Sequence, residues 1–152
     1  DANCAIHFHT RDGVAISALE EGLLPLSQNA LLIWNDIAYH DFEGVVSPDE
    51  ERERLQRDLG TKRLMILRNH GTLAIGRTSG SAFARIGGLE WACPAQVKTL
   101  AMGRPLHLPK PHAIEKMNAI ASSEWIEGHA VAQALWPALL RKAERLFPGF
   151  DN

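Results

Sequence analysis

Three histidines stand out by type and spacing. His7 and His9 are separated by a single residue in the string AIHFHT. In an extended segment the side chains alternate between faces, so residues two apart project from the same side. Two imidazoles so placed are near enough to share one cation. His70 stands in Arg68-Asn69-His70-Gly71, a tight connection between two strand candidates, and strand pairing would carry it to that face. Three nitrogen ligands leave at least one coordination position open, where a water or a substrate oxygen would be polarised, so such a centre suits catalysis better than structure. The same spacing also fits half-buried strand histidines with ordinary hydrogen bonds, and a histidine before glycine in a turn is commonly a solvated or capping residue. The local pattern leaves both readings open.

The elements that must position these residues are readable in outline. Asn3 to Phe8 reads as a strand, and Thr10 opens a helix carrying Val14, Ile16, Ala18 and Leu19, closed by Gly22. ALLIW and DIAYHDF read as short strands around Asn35 and Asp36. Ser47-Pro48-Asp49-Glu50 starts a helix, whose acidic first turn suits its dipole and whose buried edge is Leu55 and Leu59, before Gly60. Arg63 to Leu67 and Thr72 to Ile75 read as strands. From Thr78 the residues Ala82, Phe83, Ile86, Leu89, Cys93, Val97 and Leu100 mark a long amphipathic helix ending at Gly103, with a bend or local rearrangement expected near Cys93 because of Pro94. RPLHLPKPHAIEK reads as an irregular surface connector, and Ala130 to Phe147 as a final helix interrupted by Pro137. This order predicts an α/β chain.

Composition narrows the function classes. The chain has 152 residues, 45% of them hydrophobic, enough for one domain with a real core and too many for disorder. Sixteen Lys and Arg against eighteen Asp and Glu give a net charge of −2, so the overall field recruits neither nucleic acid nor anionic membrane. No apolar run reaches the roughly 18 to 20 residues of a membrane helix. Cys4 and Cys93 are too few for a disulfide framework and lack the paired spacing of a thiolate zinc site, which predicts reduced thiols and a cytoplasmic protein. The chain starts at Asp1 rather than Met, with the histidine pair close behind, which is the expectation for a piece of a longer protein.

The strings AIHFHT, AISALEEGLLPLSQNAL, IAYHDFEG and RLMILRNHGTLAIG, followed by LEWAC with Gln96 beyond, resemble the class II aldolase/adducin family. The resemblance runs from about Ala2 to Gly103, and GLLP, YHDFEG and ILRNHG are most similar to the adducin-like branch. It implies one α/β/α domain over 1–152, N-terminally incomplete, with a mostly antiparallel central sheet flanked by helices and residues 104–152 as C-terminal connector and helices. It also implies zinc or another divalent metal held by His7, His9 and His70. The implied activity is an aldehyde-lyase type of carbon–carbon cleavage, in which the metal chelates the oxygens of a small hydroxy-carbonyl or sugar-phosphate substrate and stabilises an enediolate. Epimerase or dehydratase chemistry on the same scaffold, and a non-catalytic adducin-head-like association module, are the alternatives. A homotetramer with sites near subunit boundaries is implied as well.

The chain departs from the family pattern in its proton-handling groups. The family's phosphate cradle and acid/base glutamate lie ahead of the HxH strand, outside this sequence, and Gln28 takes the place of the first family tyrosine, leaving Tyr39 as the sole tyrosine. Tyr39-His40-Asp41 cannot form a relay on one strand because neighbours alternate faces. Glu43 as a base, Glu90 beside Trp91, and Arg63 and Arg68 as anion contacts all read better as ordinary charges, with Glu90 exposed or between helices. His107, His112 and His129 lack paired spacing for ligation, the basic edge Arg141, Lys142 and Arg145 complements a helix dipole, and Trp34, Trp91, Trp125 and Trp136 read as packing or subunit contacts.

Overall fold

Ile6 packs against the main core while its neighbour His7 is exposed, so the first strand already sorts chemistry from packing by simple alternation. The computed structural model describes residues 2–44, 48–121, 131 and 133–151. In chain order they form β1 (Cys4–Phe8), α1 (Arg11–Ser17), α2 (Gln28–Ile33), a short 3-10 turn (Trp34–Asp36), β2 (Ile37–His40), α3 (Pro48–Leu59), β3 (Leu64–Leu67), β4 (Gly71–Gly76), α4 (Ser79–Ala101), α5 (Pro111–Ala121) and α6 (Trp136–Leu146).

The strands form a sheet in the order β1-β4-β3-β2, antiparallel except for the β2 and β3 pair. Helices cover both faces, so the α/β/α layering with a mostly antiparallel sheet is realised. On one face Ile37, Leu64, Ile66 and Ala74 meet Ile16, Ala30, Ile86 and Leu89 from α1, α2 and α4. On the other, Ala38, Met65 and Leu67 meet Leu55 and Leu59 of α3. His7 pairs with Leu73, which pairs with Met65, placing its ring on the α3 side of the sheet.

Local chemistry sets the ends of the elements. Thr10 caps α1, its hydroxyl accepting from the Gly13 N–H, and Thr78 and Ser81 cap α4 reciprocally. α4 runs as one helix through Pro94, the residue near which a bend or local rearrangement was expected. The lost donor concerns a single carbonyl, and the buried residues Leu89, Cys93 and Gln96 on either side offset the roughly 3 kcal/mol that an interior proline costs.

Other expectations are corrected. ALLIW is helical rather than extended, because Ser27 caps α2 by accepting from the Ala30 N–H and a short apolar run does not by itself distinguish helix from strand. α1 ends at Ser17; Gly22, at φ 64°, instead closes a later turn in which its N–H reaches Leu19 O. Only residues 104–110 of the connector are irregular, since Pro111 begins α5, where a missing N–H is harmless. Pro137 falls in the first turn of α6, directly after the π-helical residues 133–135, so the interruption expected there lies at the head of α6. Ser47, Trp125, His129 and Ala130 lie outside the described residues.

Candidate functional site

The tight turn after β3 brings the distant histidine home. The His70 N–H closes it by bonding to Leu67 O, and Asn69 takes a left-handed conformation, φ 56°, that asparagine tolerates better than most residues. β4 then starts at Gly71 and runs antiparallel to β1, with Phe8 opposite Thr72. A side chain at Gly71 has no room, for a Cβ there would lie 2.3 Å from Phe8 O and 2.9 Å from His9 Cδ2. Glycine is therefore what lets the two histidine-bearing segments close.

The three rings converge. Their centroids are 4.4 Å apart for His7 and His9, 4.9 Å for His7 and His70, and 4.7 Å for His9 and His70. One donor nitrogen from each lies within 4.8 Å of the others. His7 Nδ1 is 2.9 Å from Thr72 O, and since a carbonyl only accepts, Nδ1 carries the hydrogen and Nε2 is left with its lone pair. That Nε2 faces His9 Nε2 at 2.7 Å. Burial pushes the His70 pKa below its ordinary value, and the adjacent His7 and His9 push it the same way. The result is a half-exposed cluster of three imidazoles, the donor set that borderline divalent ions take. With bonds of about 2.0 to 2.1 Å to imidazole nitrogen, such an ion needs donors roughly 4 Å apart or less, somewhat closer than the 4.8 Å limit of this cluster.

Behind the rings lies the carboxylate of Glu90, partly buried between α4 and the Thr10 cap of α1, the interhelical of the two placements expected for it. Its Oε1 accepts from the Thr72 hydroxyl at 2.8 Å and its Oε2 from the Thr10 hydroxyl at 2.5 Å. The available signal was a threonine directly after His9 and another two residues after His70.

The other polar residues have structural partners. The Tyr39 oxygen accepts from the Leu23 N–H, and its ring lies 4.4 Å beneath the Arg68 guanidinium. Arg68 also donates to the carbonyls of Leu19 and Glu20, Arg63 pairs with Asp36, and Glu43 pairs with Arg54. His40 turns to the α3 side and pairs with Asp58 at 2.7 Å, so Tyr39 and His40 do point apart. Gln28, His107 and His112 are exposed. Beside the His70 turn is a polar cavity of about 370 Å³ lined by Ser17, Glu20, Asp41, Phe42, Arg68 and Asn69. A larger apolar groove of about 600 Å³, lined by Ile33, Phe83, Trp91 and Leu135, includes none of the three histidines.

Comparison with known proteins gives the family and the fold. The family model described as class II aldolase and adducin N-terminal domain matches residues 1–97. A Caulobacter vibrioides protein named for aldolase class 2 is 41% identical over 152 residues, all of this chain and 58% of its own length. Mouse alpha-adducin is 46% identical over 102 residues, 66% of this chain and 14% of adducin. The crystal structure of an aldolase II superfamily protein from Pseudomonas syringae superposes with a TM-score of 0.89 at 40% identity, covering 97% of this chain and 58% of that one. L-fuculose 1-phosphate aldolase from Glaciozyma antarctica shares the fold, with a TM-score of 0.73 at 23% identity. The chain thus spans 58% of the bacterial relative it matches along its full length. No described helix is long and apolar enough to cross a membrane.

Proposed function

Because the chain belongs to the class II aldolase and adducin N-terminal domain family, we propose that it is the metal-holding part of an aldolase-type lyase acting on a small hydroxy-carbonyl or sugar-phosphate substrate. The observation that carries this reading is the convergence of His7, His9 and His70 within 4.8 Å. These three imidazoles would hold zinc or a similar divalent cation. When bound, such an ion supplies Lewis-acid stabilisation of negative charge developing on substrate oxygens during carbon–carbon cleavage.

The chain's own residues supply position rather than proton transfer. Thr72 O fixes the His7 tautomer, and the turn at Asn69 holds His70 towards the pair. The polar cavity bordering Asn69 offers hydroxyl-binding groups in Glu20 and Asp41, which suits a polyhydroxylated substrate. Tyr39 is not the proton donor of this reading, because its side chain packs against the main core, on the face of the sheet opposite His7. The acid/base group comes instead from outside these residues, as does a phosphate cradle. A cytoplasmic homotetramer completes the proposal, in keeping with two free cysteines.

The test is metal analysis of the purified protein followed by assay of the metal-loaded form against ketose phosphates and 2-keto-3-deoxy acids. About one equivalent of metal and cleavage of at least one substrate are expected, whereas roughly a tenth of an equivalent or less would sink the ligand assignment. A second reading, a non-catalytic association module, draws on the 46% identity to alpha-adducin. Metal uptake with no turnover of any substrate, and an oligomer unchanged in His70→Ala, would favour it.

A further inference from the structure

We propose that Glu90 is the positioning residue of the three-histidine cluster, one carboxylate on α4 that fixes the backbone flanking all three imidazoles. The inference rests on the metal-site reading above and extends it to a residue that donates no ligand. Three connections carry it. Thr72, fully buried, gives its hydroxyl hydrogen to Glu90 Oε1, while its own carbonyl receives the His7 Nδ1–H. Thr10 gives its hydroxyl hydrogen to Glu90 Oε2 and follows His9 directly in the chain. His70 is two residues ahead of Thr72 along the same backbone.

The direction of these bonds is forced. The Thr10 oxygen already accepts from the Gly13 N–H as the cap of α1, so its hydrogen is free for the carboxylate. An ionised carboxylate only accepts, which lets both hydroxyls donate at once. The junction is also tightly packed: a Cβ on Gly13 would lie 2.7 Å from Thr10 Oγ1, 3.1 Å from Thr72 Cγ2 and 3.2 Å from Glu90 Oε1. Helix α1, strand β4 and helix α4 are clasped at one point by these two charge-assisted bonds. With Glu90→Gln the amide NH₂ must face one hydroxyl, whose hydrogen then has no acceptor, and the clasp loosens on the side of Thr10 or Thr72.

Outer partners of metal-ligating histidines are worth about 10- to 100-fold in metal affinity, and here that support is relayed through a peptide carbonyl. Two readouts test it on the purified protein. The first is the imidazole ¹⁵N spectrum of metal-free protein, in which wild type shows His7 as the Nδ1–H tautomer. The second is zinc retention against a competing chelator. Glu90→Gln and Thr72→Val should give a mixed His7 tautomer and zinc binding weaker by about 10- to 100-fold. Thr72→Ser, which keeps the hydroxyl, should restore both readouts. Ile37→Ala, a core truncation on β2 three strands from β1, should lower the thermal midpoint while leaving tautomer and affinity within about twofold, well under the effect of lost outer support.

The proposal is overturned if Glu90→Gln and Thr72→Val keep the wild-type tautomer and zinc affinity, or if Ile37→Ala loses as much of either. Wild-type protein that takes up no zinc overturns the metal reading instead, and the tautomer spectrum then decides the positioning role by itself.

Discussion

His7 Nδ1 lies 2.9 Å from the carbonyl oxygen of Thr72, the residue that β4 sets opposite Phe8. The bond spends one ring nitrogen on the neighbouring strand and aims the other at His9 and His70. A histidine on an exposed strand is ordinarily free to choose its tautomer; this one is not.

Removal of one ring should therefore undo the site without undoing the fold. His70→Ala leaves two imidazoles, and the bound metal measured after dialysis should fall from about one equivalent to roughly a tenth or less. Because His70 sits in an exterior turn, the unfolding midpoint of the metal-free variant should stay near that of metal-free wild type.

Gly71→Ala should be worse for the fold than the loss of any ligand. The added methyl would sit 2.3 Å from Phe8 O and 3.4 Å from His7 Cε1, forcing β1 away from β4. Overpacking of this kind costs about 1 to 3 kcal/mol or more, readable as a reduced urea midpoint, and metal uptake should fall with it.

The two thiols should differ sharply in reactivity. Burial pushes Cys93 up to about 12, with Glu90 and Asp12 nearby acting in the same direction, while Cys4 is partly exposed. Iodoacetamide at about pH 8 should alkylate Cys4 alone in native protein, and both residues in denaturant. Peptide mass mapping checks it; modification of Cys93 in the folded state would contradict the buried assignment.

Acid sensitivity should trace in part to Asp58. Its carboxyl is held below the usual range, first by the Arg57 hydrogen bond and then by that of His40. A depressed carboxylate pKa means that the unfolded chain binds the proton more readily, so the contribution to stability is full above about pH 5 and is lost as pH falls through and below the ordinary aspartate value near 4. Asp58→Asn should lower stability at neutral pH and flatten the decline between about pH 5 and 3, as followed by denaturant titration at each pH.

Period-two alternation made the His7 and His9 pair legible, and the NHG turn made His70 legible, because both are local patterns. Caps were legible for the same reason at Thr10 and Thr78. ALLIW was not, since five apolar residues in a row satisfy either a buried strand or a helix and the choice rests on the Ser27 cap. The Glu90 clasp was least legible of all: its bonds to Thr10 and Thr72 span 80 and 18 residues, and nothing in the neighbourhood of Glu90 announces them. At Pro94 the local penalty is real, and the tertiary burial of α4 carries the helix through it.

The pairing of His7 with Leu73 has a bearing on how the centre comes into being. A slip of β1 by one residue against β4 would exchange every side chain between the faces, turning both imidazoles inward and Ile6 outward. Correct alignment of two strands and assembly of the donor cluster are thus a single event. A divalent ion present during refolding would act as a template, rewarding only the chains that have zipped in phase.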